Sequence, residues 1–298
     1  MEIVCVDDAS TDGTAAILAE AARQDARIQP VRGEGRGLVA ALNLGLSHCR
    51  GEFVARMDAD DVAHPDRVRL QIDLLLSDPS LGAVGSLVDC FSDRGPLSPG
   101  LARLQQWLNQ TVTKAQCKNG RFVEAPLVHA STTFRREALH SWEDHGWAED
   151  WDLLLRLVEQ GWELAKVPHA LLRWRDSAQR LTRTGPAYSP QAMFRLKAHH
   201  LARGPLRERP FHIWGAGPTG KRLARELEHH QLRPLSFFDV DRHKRIARGR
   251  PVLGEEKLPA PGTAMMLCAV GAAGARDEIR ALLESRKFEE GRHFLFAA

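Results

Sequence analysis

The chain has 298 residues, enough for one large domain or two ordinary ones. Its hydrophobic content of 43% is typical of globular proteins, and its net charge of +3 is too small to indicate a nucleic-acid-binding protein. The scattered cysteines include no CxxC pair, which argues against a zinc site or a disulfide framework and predicts a cytoplasmic protein. No apolar run approaches the roughly 20 residues of a membrane helix, so we expect no integral membrane segment.

The N-terminal residues predict a strand that ends in two acids. The apolar run Ile3–Val6 leads directly into Asp7 and Asp8, and an amphipathic helix follows. A short strand near Ile28–Val31, a glycine-rich loop and a helix over Leu38–His48 come next. This alternation of strands and helices predicts an α/β fold with a mostly parallel sheet flanked by helices.

A second acidic strand end follows this helix. The apolar run that begins at Phe53 ends in Asp58, Asp60 and Asp61. Clustered carboxylates repel one another unless a cation lies between them, and Mg²⁺ or Mn²⁺ prefers oxygen ligands. The alternative is a solvated acidic turn before a helix. Because ligands bind at the carboxyl ends of parallel strands, two acidic strand ends together favour a metal or nucleotide site.

The middle of the chain is less regular. We expect a helix over Leu101–Val112, a strand over Leu127–Phe134 and a helix that starts at Arg135–Leu139. His129 lies in this strand, and a buried structural histidine is the commoner use of such a residue. A further helix starts near Glu149, where the acids could simply favour the helix dipole.

The C-terminal third predicts a separate domain with a glycine-rich turn. A strand over Phe211–Trp214 is followed by Gly215, Gly217 and Gly220, which form a GxGxxG turn before a helix. Arg222 stands where a P-loop needs Ser or Thr, which argues against nucleotide hydrolysis.

A dinucleotide site at this turn would use the acid that ends the next strand. Asp239 lies about where a Rossmann domain places its ribose-binding carboxylate. The alternative is a Rossmann-like domain that binds no dinucleotide. We favour that alternative over NAD because no domain for hydride transfer accompanies the turn.

Several motifs in the first half resemble family 2 glycosyltransferases with the GT-A fold. Val6–Thr14 resembles their VDDxSxDxT signature, Met57–Asp61 resembles their DxD motif, and Ala148–Asp152 resembles their late Glu-Asp motif. The stretch Phe237–Gly254 is similar to small Rossmann-like domains that precede some sugar-modifying acetyltransferases. The resemblance therefore implies three parts: a GT-A domain at 1–185, a helical linker at 186–209 and a Rossmann-like domain at 210–298.

This resemblance implies an inverting transferase that uses a nucleotide-diphosphate-sugar donor and a saccharide or lipid-linked hydroxyl acceptor. Asp150 would be the base and Glu149 its orienting partner, and Asp58 and Asp60 would hold Mn²⁺ or Mg²⁺. The other donor-binding residues would be Asp7, Asp8, Arg36, Asp61, Arg175 and Arg180. His129 and Trp151 would lie on the acceptor side, although core packing is the commoner use of tryptophan. A protein acting on lipid-linked acceptors would work at the inner face of the membrane, as a peripheral protein.

One departure from the family pattern concerns the start of the chain. The family normally has another strand and helix before this point, and Met1 falls inside what should be its second strand. We therefore expect Glu2–Val6 to lie inside the sheet, because it has the apolar run of a strand covered on both faces. The missing first strand supports one alternative function, a degenerate, non-catalytic nucleotide-sugar-binding or partner-binding protein. A second alternative is an NAD-dependent oxidoreductase that acts through the C-terminal domain.

Overall fold

The computed structural model describes residues 1–178, 180–272 and 274–298. They form two compact units that interleave along the chain. Unit 1 comprises Met1–Val112, Leu127–His145 and Asp152–Asp176, and unit 2 comprises Thr113–Pro126, Gly146–Trp151 and Ser177–Ala298. The domain limits 1–185, 186–209 and 210–298 stay a prediction.

Unit 1 begins with alternating strands and helices. Its first elements are β1 (Ile3–Asp7), α1 (Thr14–Gln24), β2 (Ile28–Arg32), α2 (Leu38–His48), β3 (Phe53–Ala55), β4 (Val62–Ala63) and α3 (Arg67–Ser77). The elements that follow up to β7 are β5 (Leu81–Phe91), α4 (Pro99–Gln110), α5 (Lys114–Gly120), β6 (Thr133–Arg135), α6 (Glu149–Glu159) and β7 (Glu163–Arg175), of which α5 and the first three residues of α6 belong to unit 2. Among the described residues, no helix combines the length and apolarity needed to cross a membrane.

The predicted α/β class is confirmed, but the main sheet of unit 1 is mixed. Its strand order is β3-β6-β5-β7-β4, in which β5 and β7 are parallel and the other neighbours are antiparallel. Strand β6 runs between β3 and β5, and this insertion accounts for two of the antiparallel pairs. Strands β1 and β2 form a separate two-stranded parallel sheet, and β2 is the partner strand that the structure gives for β1. Whether Glu2–Val6 lies inside a larger sheet stays a prediction.

The core of unit 1 lies between α3 and the long strands. Leu75 of α3 packs against Leu81 and Val84 of β5 and Val167 and Leu171 of β7. The periodicity of α3 places Leu75 on the face toward the sheet, while the adjacent Leu76 is exposed. This core fixes β3 and β7, the two strands that position the acidic loop described below.

The prediction for residues 127–139 was wrong in two places. A short 3₁₀ turn at His129–Ser131 replaces most of the predicted strand, because the hydroxyls of Ser131 and Thr132 both donate to the carbonyl oxygen of Val128 at 2.8 Å. The predicted helix at Arg135–Leu139 is a turn instead. There the Arg135 guanidinium donates to the carbonyl oxygens of Leu81 and Leu75, at 3.2 and 2.7 Å.

Unit 2 is built on a six-stranded sheet of order β10-β11-β9-β8-β12-β13. All neighbours are parallel except β10 and β11. Its strands are β8 (Phe211–Trp214), β9 (Phe237–Phe238), β10 (Ile246–Ala247), β11 (Arg250–Leu253), β12 (Met265–Cys268) and β13 (Phe294–Phe296). Its later helices are α7 (Leu181–Thr184), α8 (Pro190–Arg203), α9 (Pro218–Glu228) and α10 (Ala275–Ser285). Helix α8 begins at a serine cap, where the Ser189 hydroxyl accepts from the Ala192 amide at 3.3 Å.

A buried lysine lies in the core of unit 2. The Lys197 ammonium donates to the carbonyl oxygens of Ala297 at 2.9 Å and Val123 at 3.2 Å, and it lies 5.1 Å from the centre of the Trp151 ring. Burial lowers the pKa of Lys197 to about 8, although the carboxylate of Glu124 opposes this shift. Burial in turn raises the pKa of Glu124. The ammonium group of Lys197 thus links α8 to the C-terminal segment.

We expect Lys197→Met to change how the free energy of unfolding depends on pH. The pKa of Lys197 is about 8 in the folded protein and 10.5 for an ordinary lysine. Between these values the unfolded state binds more protons, so this group makes the wild type more stable as pH rises, by at most about 1.4 kcal/mol per unit. Urea unfolding across this range should therefore show the variant losing stability relative to the wild type as pH rises. Lys257→Met, which removes an exposed lysine of the same unit, is the control. A constant difference between Lys197→Met and wild type would contradict the prediction.

Candidate active site

Three carboxylates lie together in the loop that follows β3. Oxygen atoms of Asp58, Asp60 and Asp61 all lie within 4.8 Å of one another. Asp60 is exposed, whereas Asp58 and Asp61 are half-buried. Hard divalent cations bind such sets of oxygen atoms, usually through one or two carboxylates together with substrate phosphates. The residues present therefore fit a Mg²⁺ or Mn²⁺ site.

Two arginines near the acidic loop provide positive charge beside its carboxylates. The largely buried Arg56 forms an ion pair with Asp58. The guanidinium of Arg67, on α3, donates to the carbonyl oxygens of Arg56 at 3.1 Å and Ala130 at 2.8 Å. Burial lowers the pKa of Arg67 to about 10, and the carboxylate of Asp61 opposes this shift. Arg67 remains charged at neutral pH, so it reduces the repulsion among the carboxylates.

Arg175, at the end of β7, holds the acidic loop from its other side. Its backbone amide donates to Asp61 Oδ1 at 2.8 Å, and its Nε donates to the carbonyl oxygen of Asp60 at 2.8 Å. The same guanidinium forms an ion pair with Asp93. These contacts make Arg175 a positioning residue for the loop, and its predicted contact with the donor diphosphate stays a prediction.

Asp8 organises the glycine-rich loop before α2. Its two carboxylate oxygens accept from the backbone amides of Gly35 at 2.9 Å and Gly37 at 2.8 Å. Both glycines have positive φ, 72° and 90°, which is the conformation that glycine adopts most easily. Arg36 lies exposed between them and pairs with Glu34 at 2.5 Å. Asp8 thus ties the end of β1 to the loop.

Asp7 is buried in unit 1, and its predicted role at the donor stays a prediction. Only 5% of the residue is exposed. Its carboxylate accepts from the Ser10 amide at 2.9 Å and forms an ion pair with Arg32. The hydroxyl and amide of Ser10, and then Arg32, lower the pKa of Asp7, so the carboxylate is ionised at neutral pH. These contacts make Asp7 a brace for the turn after β1.

His129 is a neutral hydrogen-bond acceptor in unit 1. The Trp142 indole donates to His129 Nε2 at 3.0 Å, so the ring proton of neutral His129 lies on Nδ1. Burial, with a smaller effect from Arg56, lowers the pKa of His129 well below its ordinary value. The amide side chain of Asn43 in turn bonds both the carbonyl and the amide of Trp142, at 2.9 and 3.0 Å. A role for His129 toward the acceptor stays a prediction.

The Glu-Asp pair begins α6 in the segment that belongs to unit 2. Glu149 is buried and accepts from the Tyr188 hydroxyl at 2.6 Å. Asp150 is half-buried, and its Oδ1 accepts from the Trp151 amide at 2.7 Å. Trp151 itself is only 2% exposed, and its indole donates to the Arg121 carbonyl at 2.8 Å. Trp151 is therefore a core residue and does not present an exposed face to an acceptor. Arg180 precedes α7 as its capping residue.

The GxGxxG turn joins β8 to α9 through close backbone contacts. A Cβ atom on Gly220 would lie 1.8 Å from the Gly215 carbonyl oxygen, and one on Gly215 would lie 2.6 Å from the Ala269 oxygen. Asp239 accepts from the Ala216 amide at 2.8 Å and from Lys244 Nζ at 3.0 Å. Packing thus accounts for two of the glycines and for the acid, as expected if the turn is structural. Among the described residues outside its immediate chain neighbours, no atom lies within 4 Å of a Cβ on Gly217, so this glycine of the turn leaves room for a ligand.

We expect Gly220→Ala to destabilise unit 2 by about 3 kcal/mol or more, because backbone atoms cannot move aside as flexible side chains do. Gly217→Ala, the matched control, should change stability by about 1 kcal/mol at most, since φ is −84° and the space is open. Thermal unfolding followed by circular dichroism measures both. Equal losses in the two variants would contradict the close contact.

Several site residues were not recognised from the sequence. Arg32, Arg56 and Arg67 provide the positive charges beside the carboxylates, and Asn43 orients Trp142. The position of Arg56, two residues before Asp58, was a usable indication, because a charge so close to a buried strand needs a partner. Arg67 lies in an ordinary amphipathic helix, and no local pattern distinguishes it from a surface arginine.

Comparison with known proteins agrees with this geometry. Residues 1–142 match the model of glycosyl transferase family 2. The amylovoran biosynthesis glycosyltransferase AmsE of Erwinia amylovora is 33% identical over 167 residues, which are 54% of this chain and 60% of AmsE. The putative glycosyltransferase EpsE of Bacillus subtilis is 29% identical over 196 residues, which are 63% of this chain and 67% of EpsE.

A solved structure shares the fold. TarS of S. aureus in complex with UDP-GlcNAc superposes with a TM-score of 0.53 at 19% identity, over 77% of this chain and 63% of that one. This chain spans 56–67% of the length of the first curated relatives. Residues 1–142 of this chain therefore match glycosyl transferase family 2, and the chain shares its fold with TarS.

Proposed function

We propose that this protein is an inverting glycosyltransferase that moves a sugar from a nucleotide-diphosphate-sugar to a hydroxyl of a saccharide or lipid-linked acceptor. The observation that carries the proposal is the acidic loop after β3 of a family 2 domain, where three carboxylates converge within 4.8 Å. The amylovoran biosynthesis relative supports an acceptor used in making a polysaccharide.

Asp58 and Asp60 would hold Mn²⁺ or Mg²⁺, and Asp61 would support them. When bound, the cation supplies a Lewis acid for the departing diphosphate. The chain's own contribution is to fix the carboxylates in position. Arg175 restrains the backbone at Asp60 and the carboxylate of Asp61. Arg67 donates to the carbonyl oxygen of Arg56, just before the loop. Asp8 would meet the nucleotide base, with Arg36 and Arg180 adding positive charge on the donor side.

Asp150 would take the proton from the acceptor hydroxyl as that oxygen attacks the sugar. Its carboxylate is half-buried at the start of α6. Glu149 would orient this segment through its bond to Tyr188. A single displacement of this kind inverts the anomeric carbon and needs no covalent intermediate.

The test is release of nucleoside diphosphate from a panel of nucleotide sugars, with and without Mn²⁺ and in the presence of saccharide acceptors. We expect turnover with at least one donor only when the metal is present. Donor binding without turnover for every donor and acceptor would favour the non-catalytic alternative. A titration that detects NADH fluorescence on binding to unit 2, together with absent donor binding, would favour the oxidoreductase alternative.

A further inference from the structure

The most basic segment of the described structure surrounds β10 and β11 in unit 2. We define residues 240–250 as the basic hairpin. It contains five arginine or lysine residues and one aspartate, a net charge of +4, whereas the whole chain carries only +3. The remainder of the protein is therefore nearly neutral, and the basic hairpin concentrates its excess positive charge on one short edge of the unit 2 sheet.

Few of these charges are neutralised within the protein. Lys244 pairs with Asp239 at 3.0 Å, and Arg248 pairs with Glu228 at 2.5 Å. In the part of the chain that the structure describes, Arg242, Arg245 and Arg250 form no ion pair with a carboxylate. Repulsion among neighbouring cations is reduced when an external anionic partner binds, so this surface favours an anionic partner.

Two exposed aliphatic side chains distinguish this surface from a purely electrostatic one. Val240 and Ile246 are 83% and 72% exposed, among the highest values for large apolar residues in the described chain. They flank the turn that carries Arg242 and Arg245. A soluble polyanion would gain little from such side chains, whereas a lipid bilayer can take them up among its acyl chains.

The backbone fixes both aliphatic residues at the same end of the sheet. The Asp239 amide donates to the Leu253 carbonyl at 3.1 Å, and the Val252 amide donates to the Arg245 carbonyl at 2.9 Å. Both ends of the turn are thus bonded to adjacent residues of β11, so they lie about two strand spacings, ~10 Å, apart. The hairpin is therefore an ordered turn on which apolar and basic side chains occur together.

An open cleft adjoins the hairpin. Its volume is about 580 Å³, and its lining includes Arg233, Arg248 and Arg250 with one carboxylate, Glu228. Three guanidinium groups against one carboxylate leave excess positive charge, which suits a phosphate group because arginine binds phosphate through paired hydrogen bonds. The cleft has room for the headgroup of a phospholipid.

We propose that the basic hairpin and its cleft dock this protein on a bilayer that contains anionic phospholipid. Arg242, Arg245 and Arg250 contact lipid phosphates, and Val240 and Ile246 enter the interface. This surface belongs to unit 2 and the acidic loop after β3 belongs to unit 1, and no residue of the surface is assigned to the proposed transferase activity.

The experiment is sedimentation of the full chain with vesicles of phosphatidylglycerol and phosphatidylcholine, and with vesicles of phosphatidylcholine alone. We expect binding to the anionic vesicles that weakens with added salt, and little binding to the neutral ones. Arg242→Gln with Arg245→Gln should lower the partition coefficient about 30-fold, from about 1 kcal/mol per basic residue. Val240→Ser with Ile246→Ser should lower it about tenfold or more.

Matched control variants remove exposed arginines and an exposed isoleucine outside the basic hairpin. Arg103→Gln with Arg286→Gln removes two exposed arginines, and Ile17→Ser removes an isoleucine that is 69% exposed. These control variants should bind vesicles like the wild type. Circular dichroism should show that every control and test variant is folded. Equal binding to both vesicle types, or unchanged binding of the folded Arg242→Gln/Arg245→Gln variant, would overturn the proposal. Binding to soluble dextran sulfate without binding to vesicles would also overturn it and assign the surface to a soluble polyanion.

Discussion

Asp60→Asn should lower kcat/KM by at least about 100-fold, the usual cost of losing one charged group that stabilises a transition state. The substitution keeps the shape of the side chain but removes the charge from the most exposed carboxylate of the acidic loop. The remaining carboxylates, Asp58 and Asp61, are already engaged by Arg56 and Arg175. Asp60 is therefore the one best placed to meet a cation from solvent. Initial rates of nucleoside diphosphate release, measured over a series of Mn²⁺ concentrations, give the effect.

Asp73→Asn provides the matched control. Asp73 is an exposed carboxylate on α3 that pairs only weakly with Arg69, at 3.4 Å, and it lies outside the acidic cluster. Its loss should leave the rate and the metal dependence within about twofold, because exposed pairs of this kind contribute little. Full activity of the wild type in excess chelator would contradict the metal role, whatever Asp60→Asn does.

Asp150→Asn should abolish transfer while leaving donor affinity unchanged, with a loss of about 10²–10⁴-fold in kcat. The amide has nearly the same volume and can still accept from the Trp151 amide, so α6 should begin normally. It cannot take a proton from an attacking hydroxyl. Calorimetric titration with nucleoside diphosphate and Mn²⁺ measures donor affinity, and the rate of sugar transfer measures the loss.

Two comparisons separate a base from a structural residue. Asp144→Asn, an exposed acid in the loop before α6, should transfer sugar at the wild-type rate. The pH profile of kcat in the wild type should show an acidic limb that belongs to the base, and a small remaining activity of Asp150→Asn should lack it. If donor affinity collapses in Asp150→Asn while the protein stays folded, the assignment of Asp150 as a base is wrong.

The sequence predicted the parts of the site that depend on neighbouring residues. Helix α2 has the limits expected from its apolar periodicity, Leu38–His48. The acidic run at Asp58–Asp61 follows a strand, as expected, because an apolar run ending in carboxylates has few other stable arrangements. The motifs also indicated the resemblance to family 2 glycosyltransferases, since their order along the chain is a property of the sequence.

Tertiary structure decided which polar residues are engaged inside the protein. Asp7 and Asp8 are adjacent and chemically alike, yet Asp7 is buried against Arg32 while Asp8 holds the loop amides of Gly35 and Gly37. Asp7 is the last residue of β1 and Asp8 lies in the turn that follows, so only the packing around each residue determines which groups its carboxylate contacts. Trp151 is a similar case, because its burial comes from the surroundings of α6.

The order of strands was likewise beyond the sequence pattern. Local periodicity predicted strands and helices, but it could not show that β6 runs antiparallel between β3 and β5. That arrangement depends on contacts between residues about 50 to 80 positions apart, such as Phe53 with Arg135 and Ala83 with Phe134. The sequence by itself indicated the match to glycosyl transferase family 2 and the acidic strand ends, because these are local patterns. Only the tertiary structure decided which arginines hold the acidic loop, because Arg175 reaches Asp61 from 114 residues away and the buried guanidinium of Arg67 bonds both Arg56 and the distant Ala130.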